Sequence, residues 1–157
     1  MKIAVIGAGH WGINLVRNLH ALGVLSHVVE KDSEVVNEIS KEILDVQFLN
    51  DYDSLLSSEI DAAAIATPAA SHYEIALQFL KAGKDVFIEK PMTLCSKDAA
   101  DLVHNAEHNG AVLMVGHMLL YQPAIKFIKS YLEQGHLGKI YHLHQDRLKL
   151  GRVRTVE

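Results

Sequence analysis

Ile3-Ala4-Val5-Ile6-Gly7-Ala8-Gly9-His10-Trp11-Gly12 is the stretch on which the reading of this chain turns. Four consecutive apolar residues stop at a glycine. A run that is apolar at every position suits a strand buried on both faces, as in a parallel sheet. Beyond it, Trp11, Leu15, Leu19 and Leu22 recur at three- and four-residue steps, the stripe of a helix, and Gly23 offers a stop. A glycine-rich turn therefore joins a buried strand to a helix, the context in which G-x-G-x-x-G reads as a dinucleotide fingerprint. Gly7 allows the tight turn, Gly9 lets a pyrophosphate approach the backbone, and Gly12 lets the helix pack close to the strand. The free N–H groups and the dipole at the helix N-terminus favour an anion, the dipole by about 0.3–1 kcal/mol at an exposed site. Gly7, Gly9, His10, Trp11 and Gly12 are thus candidate cofactor contacts, although Trp11 can pack under the turn without touching the cofactor.

The next strand, His27-Val28-Val29-Glu30, ends on a carboxylate 18 residues past Gly12. That is close to the spacing of the acid that accepts hydrogen bonds from the adenosine ribose. The same charge would repel a 2′-phosphate by ~1–4 kcal/mol per charge pair at about 4 Å, which favours NAD over NADP. Lys31, next in sequence, could instead turn toward a phosphate.

The alternation continues along the chain. Asp32 or Ser33 can cap a helix striped by Val35, Ile39 and Ile43, and Val46–Leu49 reads as a third strand. A short helix around 54–57, capped by Asp53, precedes a fourth strand from Ile60 to Ala66. Ser71-His72-Tyr73-Glu74 has the spacing of a capping box before a helix carrying Ile75, Phe79 and Leu80. A fifth strand, Val86–Ile88, a helix from Ser96 to about Glu107 and a sixth strand, Ala111–Val115, follow. Six strands with five helical segments between them predict an α/β fold, a doubly wound parallel sheet in the order 3-2-1-4-5-6. The pattern changes after Gly116. Tyr121–Gln134 reads as a helix with Ile125, Ile128 and Leu132 inward. Ile140–His144 alternates apolar and polar like the first strand of a second, antiparallel sheet. The expected domains are 1–118, for the dinucleotide, and 119–157, the incomplete start of a substrate and oligomerisation domain.

Composition excludes several function classes. Of 157 residues, 49% are apolar and 22% charged, ordinary for a folded domain rather than a disordered one. Fifteen Lys and Arg against 19 Asp and Glu leave a net charge of −4, no electrostatic footprint for nucleic acid or an anionic membrane. No apolar run reaches the ~20 residues of a membrane span, and Met1-Lys2 leads into too short an apolar stretch for a signal peptide. A single cysteine, Cys95, cannot form an internal disulfide and fits a reducing compartment, so a cytoplasmic location is expected.

Ala66-Thr67-Pro68 and Glu89-Lys90-Pro91 end strands four and five, at the carboxyl ends where ligands bind in open α/β sheets. Lys90 beside Glu89 could hydrogen-bond a substrate hydroxyl and stabilise an alkoxide. These pieces, taken with Gly7–Gly12, His72 and Ala82-Gly83-Lys84-Asp85-Val86-Phe87-Ile88-Glu89-Lys90-Pro91-Met92, resemble the Gfo/Idh/MocA family of NAD(P)-dependent oxidoreductases, built on a Rossmann domain. The resemblance implies that Thr67, Pro68, Glu89 and Lys90 line the nicotinamide half of the site, and that Lys90 is the active-site lysine. It implies hydride transfer with a secondary alcohol of a sugar, cyclitol or nucleotide sugar. It also favours His72 as a brace near the cofactor. Val115-Gly116-His117, Tyr121–Ala124, Gly138–Ile140 and Arg147–Arg154 are similar to the entry into the family's second domain, the last most like members acting on nucleotide sugars. Family members are longer and carry a further histidine in that domain, so a truncated or split form is implied.

His117, at a strand end, and Arg147 are the candidate substrate contacts. His142 and His144 share one face, either of a cleft with Arg147 or of a wet sheet. His104 and His108 read as a solvated helix face rather than a two-ligand metal clip, and no metal is expected. The unpaired terminal strand would pair at its edge, through 139–150, with a second copy or a complementary chain. A reading of another class stays open beside the oxidoreductase: a catalytically silent NAD-binding module acting through a partner chain.

Overall fold

The computed structural model describes residues 1–146 and 148. The chain forms two compact units, Met1–Gly116 and His117–Glu157. The first holds six strands, β1 (Ile3–Ile6), β2 (Leu25–Val29), β3 (Gln47–Leu49), β4 (Ala62–Ile65), β5 (Asp85–Ile88) and β6 (Leu113–Val115). Between them run α1 (Gly12–Ala21), α2 (Ser33–Glu42), α3 (Asp53–Leu56), α4 (His72–Lys81) and α5 (Ser96–Asn109). The sheet is parallel throughout, in the order β3-β2-β1-β4-β5-β6, as the alternation of elements predicts. The order reverses between β1 and β4, which is where a doubly wound sheet opens a crevice at its carboxyl edge.

Burial explains why the central strands β1 and β4 are apolar at every position. Successive side chains point to opposite faces, and both faces are covered. Val5, Val28 and Ala64 pack with Val16 of α1 and with Ile39 and Ile43 of α2 and its end. Ala4, Ile6, Ala63, Ile65, Val86 and Ile88 pack with Leu55, Phe79, Leu80 and Leu102 of α3, α4 and α5. Each fully buried Ile, Leu or Phe removes enough apolar surface to contribute roughly 1.5–3 kcal/mol, so the two layers hold the strand ends in register.

Local differences from the sequence reading have identifiable causes. Asp32 does cap α2, its carboxylate accepting from the Glu34 amide at 2.9 Å. Ser71 does not form the expected capping box. Its backbone is already helical, because a 3₁₀ turn over Ala69–Ser71 leads into α4, and its hydroxyl donates to the Pro68 carbonyl instead. Asp53 opens α3 rather than capping it, and Asp51 accepts its amide at 3.2 Å.

The second unit contains a 3₁₀ turn over Met118–Tyr121 and one helix, α6 (Pro123–Glu133), whose Ile125 and Leu132 are half-buried. Ile128, expected inward, is 50% exposed. Residues 140–144 form no strand. Alternation supplies a face but not a partner, and a ladder needs both; among the described residues no strand follows β6. Arg147 and most of the segment beyond it lie outside the described residues. Among the described residues no helix is long and apolar enough to cross a membrane.

Candidate active site

The glycine turn leaves β1 at its carboxyl end. Gly7 donates its amide to the Val29 carbonyl at 2.8 Å and adopts φ +87°, where a side chain would be strained. A Cβ on Gly12 would stand 2.0 Å from the Gly7 carbonyl oxygen, so α1 approaches β1 as closely as only glycine permits. Gly9 is the opposite case: a Cβ there would meet no protein atom within 4 Å. The outer glycines are required by packing, while the middle one faces open space. This is a cradle for a group brought close to the backbone at the N-terminus of a ten-residue helix, where amides lack helical partners.

Glu30 follows β2 and is bound to this turn. Its Oε2 accepts from the Ala8 amide at 2.8 Å, and its Oε1 accepts from the Lys31 and Asp32 amides at 2.7 and 3.0 Å. A carboxylate has about four lone-pair sites, so three are engaged by main chain and one is left for an outside donor. The acid first organises the turn.

Between these elements lies a crevice of about 520 Å³, lined by Gly7, Gly9, Glu30, Thr67 and Pro68 among others. Asn50, Asp51, Tyr52 and Asp53, after β3, form another part of its wall. Sequence reasoning passed over these four, although they follow a strand at its carboxyl end just as Thr67 and Glu89 do. Burial pushes the Tyr52 phenol above its usual range, and the charges of Glu74 and Asp53 push it the same way, so it stays a neutral hydroxyl there.

Trp11, His72, Glu89 and Lys90 are not on that wall. His72 is 2% exposed, and its Nδ1 and Nε2 lie 2.8 Å from the carbonyl oxygens of Pro91 and Thr67. It thus reaches a ligand only through the two loops it joins. A neutral ring carries one N–H and can donate to one of these carbonyls; donation to both takes the second ring proton. Replacing it removes the side-chain donor between these part-buried carbonyls and empties a buried site beneath the two loops. His72→Ala is expected to lower unfolding stability by about 2–4 kcal/mol, checked by the denaturant midpoint. Glu89 is 7% exposed, and its carboxylate accepts from the Trp11 indole at 2.6 Å and the Lys90 amide at 3.2 Å. Lys90 and His10 are exposed at the surface, and the Lys90–Pro91 peptide is cis. His117 opens the second unit and is exposed. His104 and His108 stack with ring centroids 6.2 Å apart on α5, and His144 meets Asp146 at 3.0 Å.

Comparison with known proteins agrees with this geometry. The chain is 32% identical, over its whole length and 48% of the relative's, to UDP-N-acetylglucosamine 3-dehydrogenase of Acidithiobacillus ferrooxidans. It is 30% identical to 2,7-anhydro-N-acetylneuraminate hydratase of Mediterraneibacter gnavus, over 92% of this chain and 38% of that one. The structure superposes on myo-inositol 2-dehydrogenase of Lactobacillus plantarum with a TM-score of 0.82 and 26% identity, covering 89% of this chain and 43% of the other. The chain thus spans less than half the length of these relatives. Residues 1–117 match the model of an oxidoreductase family with an NAD-binding Rossmann fold, and the chain belongs to that family, Gfo/Idh/MocA.

Proposed function

We propose that this chain is the cofactor-binding part of an NAD-dependent oxidoreductase acting on a secondary alcohol of a sugar, cyclitol or nucleotide sugar. The observation that carries the reading is the cradle: Gly7 and Gly12 admit no Cβ, and Gly9 between them faces open space. The residues fit the cofactor. Amides of the turn, from Gly9 to Gly12, would hold its diphosphate, and the free lone pair of Glu30 would accept from the adenosine ribose. Thr67, Pro68 and Glu89 would border the nicotinamide. When bound, the nicotinamide accepts a hydride from the carbinol carbon or returns it.

The chain's own residues do the rest. The exposed ammonium of Lys90 holds a hydrogen bond at the substrate oxygen and stabilises the negative charge that grows there. His72 acts beneath, keeping the Thr67 and Pro91 loops at a fixed separation. The named activities of the similar dehydrogenases support an alcohol on a sugar-like ring as the substrate.

Cofactor choice follows from charge. Among the described residues, Glu30, Asp51 and Asp53 stand on the crevice wall against one cation, Lys31. A 2′-phosphate placed near Glu30 meets repulsion of ~1–4 kcal/mol, so NADPH should bind at least about fivefold more weakly than NADH. Calorimetric titration with both tests the reading, and a chain that takes up neither would end it. Glu30→Ala releases three amides and removes the discriminating charge. It should weaken NADH about tenfold while leaving NADPH nearly unchanged, so that the two affinities converge.

A further inference from the structure

We infer that Trp11 is a positioning residue: its indole N–H fixes the buried carboxylate of Glu89 and so ties the glycine turn to the main chain of Lys90. The inference deepens the proposed function, since it rests on Lys90 and the turn serving one site.

Glu89 is buried, and a buried carboxylate must be met by donors. The two it has are unusual in kind. Oε1 accepts from Trp11 Nε1 at 2.6 Å, a contact between residues 78 apart in sequence, and Oε2 accepts from the Lys90 amide at 3.2 Å. Neither donor is a cation, so the carboxylate is held by direction rather than by charge pairing with the neighbouring lysine. The short indole contact is a charge-assisted hydrogen bond, stronger than one between neutral groups.

The surroundings fix the carboxylate from another side. A Cβ at Gly116 would stand 2.9 Å from Glu89 Oε1, 3.1 Å from its Cδ and 3.2 Å from Phe87 Cζ. The backbone at 116 therefore comes so close that the Glu89 side chain has little room to turn. Trp11, by contrast, is 41% exposed. A tryptophan used only for its apolar ring would be expected deeper; here the polar edge is the engaged one.

Topology gives the link its consequence. Trp11 immediately precedes α1, while Glu89 immediately follows β5, and β4 lies between β1 and β5 in the sheet. The hydrogen bond spans the carboxyl end of β4. A shift of the turn that moves Trp11 is passed to the Glu89 carboxylate and from there to the Lys90 amide. Occupation of the phosphate cradle is thereby felt at the lysine.

The chain has a single tryptophan, so its ¹H–¹⁵N spectrum carries one indole signal. In the wild-type chain without cofactor, that signal should lie downfield of free indole and exchange slowly with solvent. Glu89→Gln should move it upfield. Trp11→Phe keeps a ring and removes the donor, and should shift the Lys90 amide signal; Gly116→Ala, which crowds the same Glu89 Oε1 that accepts from the indole, should shift both signals. Should Trp11→Phe fail to fold, the Glu89→Gln and Gly116→Ala spectra still decide. An indole signal at the free position, or one unmoved by Glu89→Gln, overturns the inference. So does a Lys90 amide unmoved in a folded Trp11→Phe chain. NADH is then added. Its effect on the Lys90 amide should be at least threefold smaller in Trp11→Phe than in wild type, and equal effects overturn the coupling. Wild-type spectra that ignore NADH altogether refute the proposed function, whereas the cofactor-free spectra judge the Trp11–Glu89 link by themselves.

Discussion

Alanine at position 12 is expected to abolish measurable NADH binding. The added Cβ would sit 2.0 Å from the Gly7 carbonyl oxygen and 2.9 Å from its carbon, both main-chain atoms. No rotamer change can relieve a clash with backbone, so α1 must move away from β1. That motion carries the amides at the helix start off the phosphate position and opens the packing of Val16 against Val5 and Val28. Overpacking of a tight contact costs about 1–3 kcal/mol in stability, and here the main chain itself must yield. Losing aligned amides and dipole together should reduce NADH affinity by about 100-fold or more, equivalent to roughly 3 kcal/mol. Gly9→Ala separates the two effects. Its Cβ meets no protein atom within 4 Å, so folding should be unaffected while binding falls because the methyl occupies the space of the pyrophosphate. Thermal unfolding and calorimetry on both variants check this. A Gly12→Ala chain that binds NADH normally would refute the close approach, and a Gly9→Ala chain that does so would refute the cradle.

Lys90→Met should lower turnover in the proposed reaction by about 10³-fold, the upper end of the ~10²–10³ that one charge-stabilising donor contributes. Methionine keeps an unbranched side chain one atom shorter and removes its charge. The main chain of residue 90 would still donate to Glu89 Oε2, and the turn proposed to hold the diphosphate is untouched. NADH affinity should therefore stay within about twofold of wild type, because the lost interaction forms at the substrate oxygen and not at the cofactor. The informative measurement pairs steady-state turnover of the intact enzyme with an NADH titration of the same preparation. Normal turnover would remove Lys90 from the chemistry. A parallel loss of NADH binding would make it a cofactor ligand instead.

The order of the sheet was legible because each strand is apolar on both faces and each intervening helix has one apolar stripe. Val5 between Ala4 and Ile6 is the clearest instance: its neighbours pack on one layer and it packs on the other. Where a signal required a partner, the reading was weaker. Residues 140–144 alternate, but a strand is made by its neighbour, and alternation cannot supply one. Ser71 has the spacing of a capping box, but the 3₁₀ turn before it had already made its backbone helical. The loop at 50–53 carries no motif, and its place on the crevice depends on where β3 ends.

From sequence alone came the parallel layering, the glycine turn, the acid after β2 and the lysine after β5, since each rests on local spacing that any chain with this pattern must share. Only the tertiary structure decided that Glu30 spends three of its acceptor sites on main-chain amides. Only it brought an indole to Glu89 and set His72 between two loops. These contacts join residues up to 78 positions apart. The long-range ones arise because the strand-to-helix loops meet at the carboxyl edge of the sheet, a distance relation that no local pattern encodes.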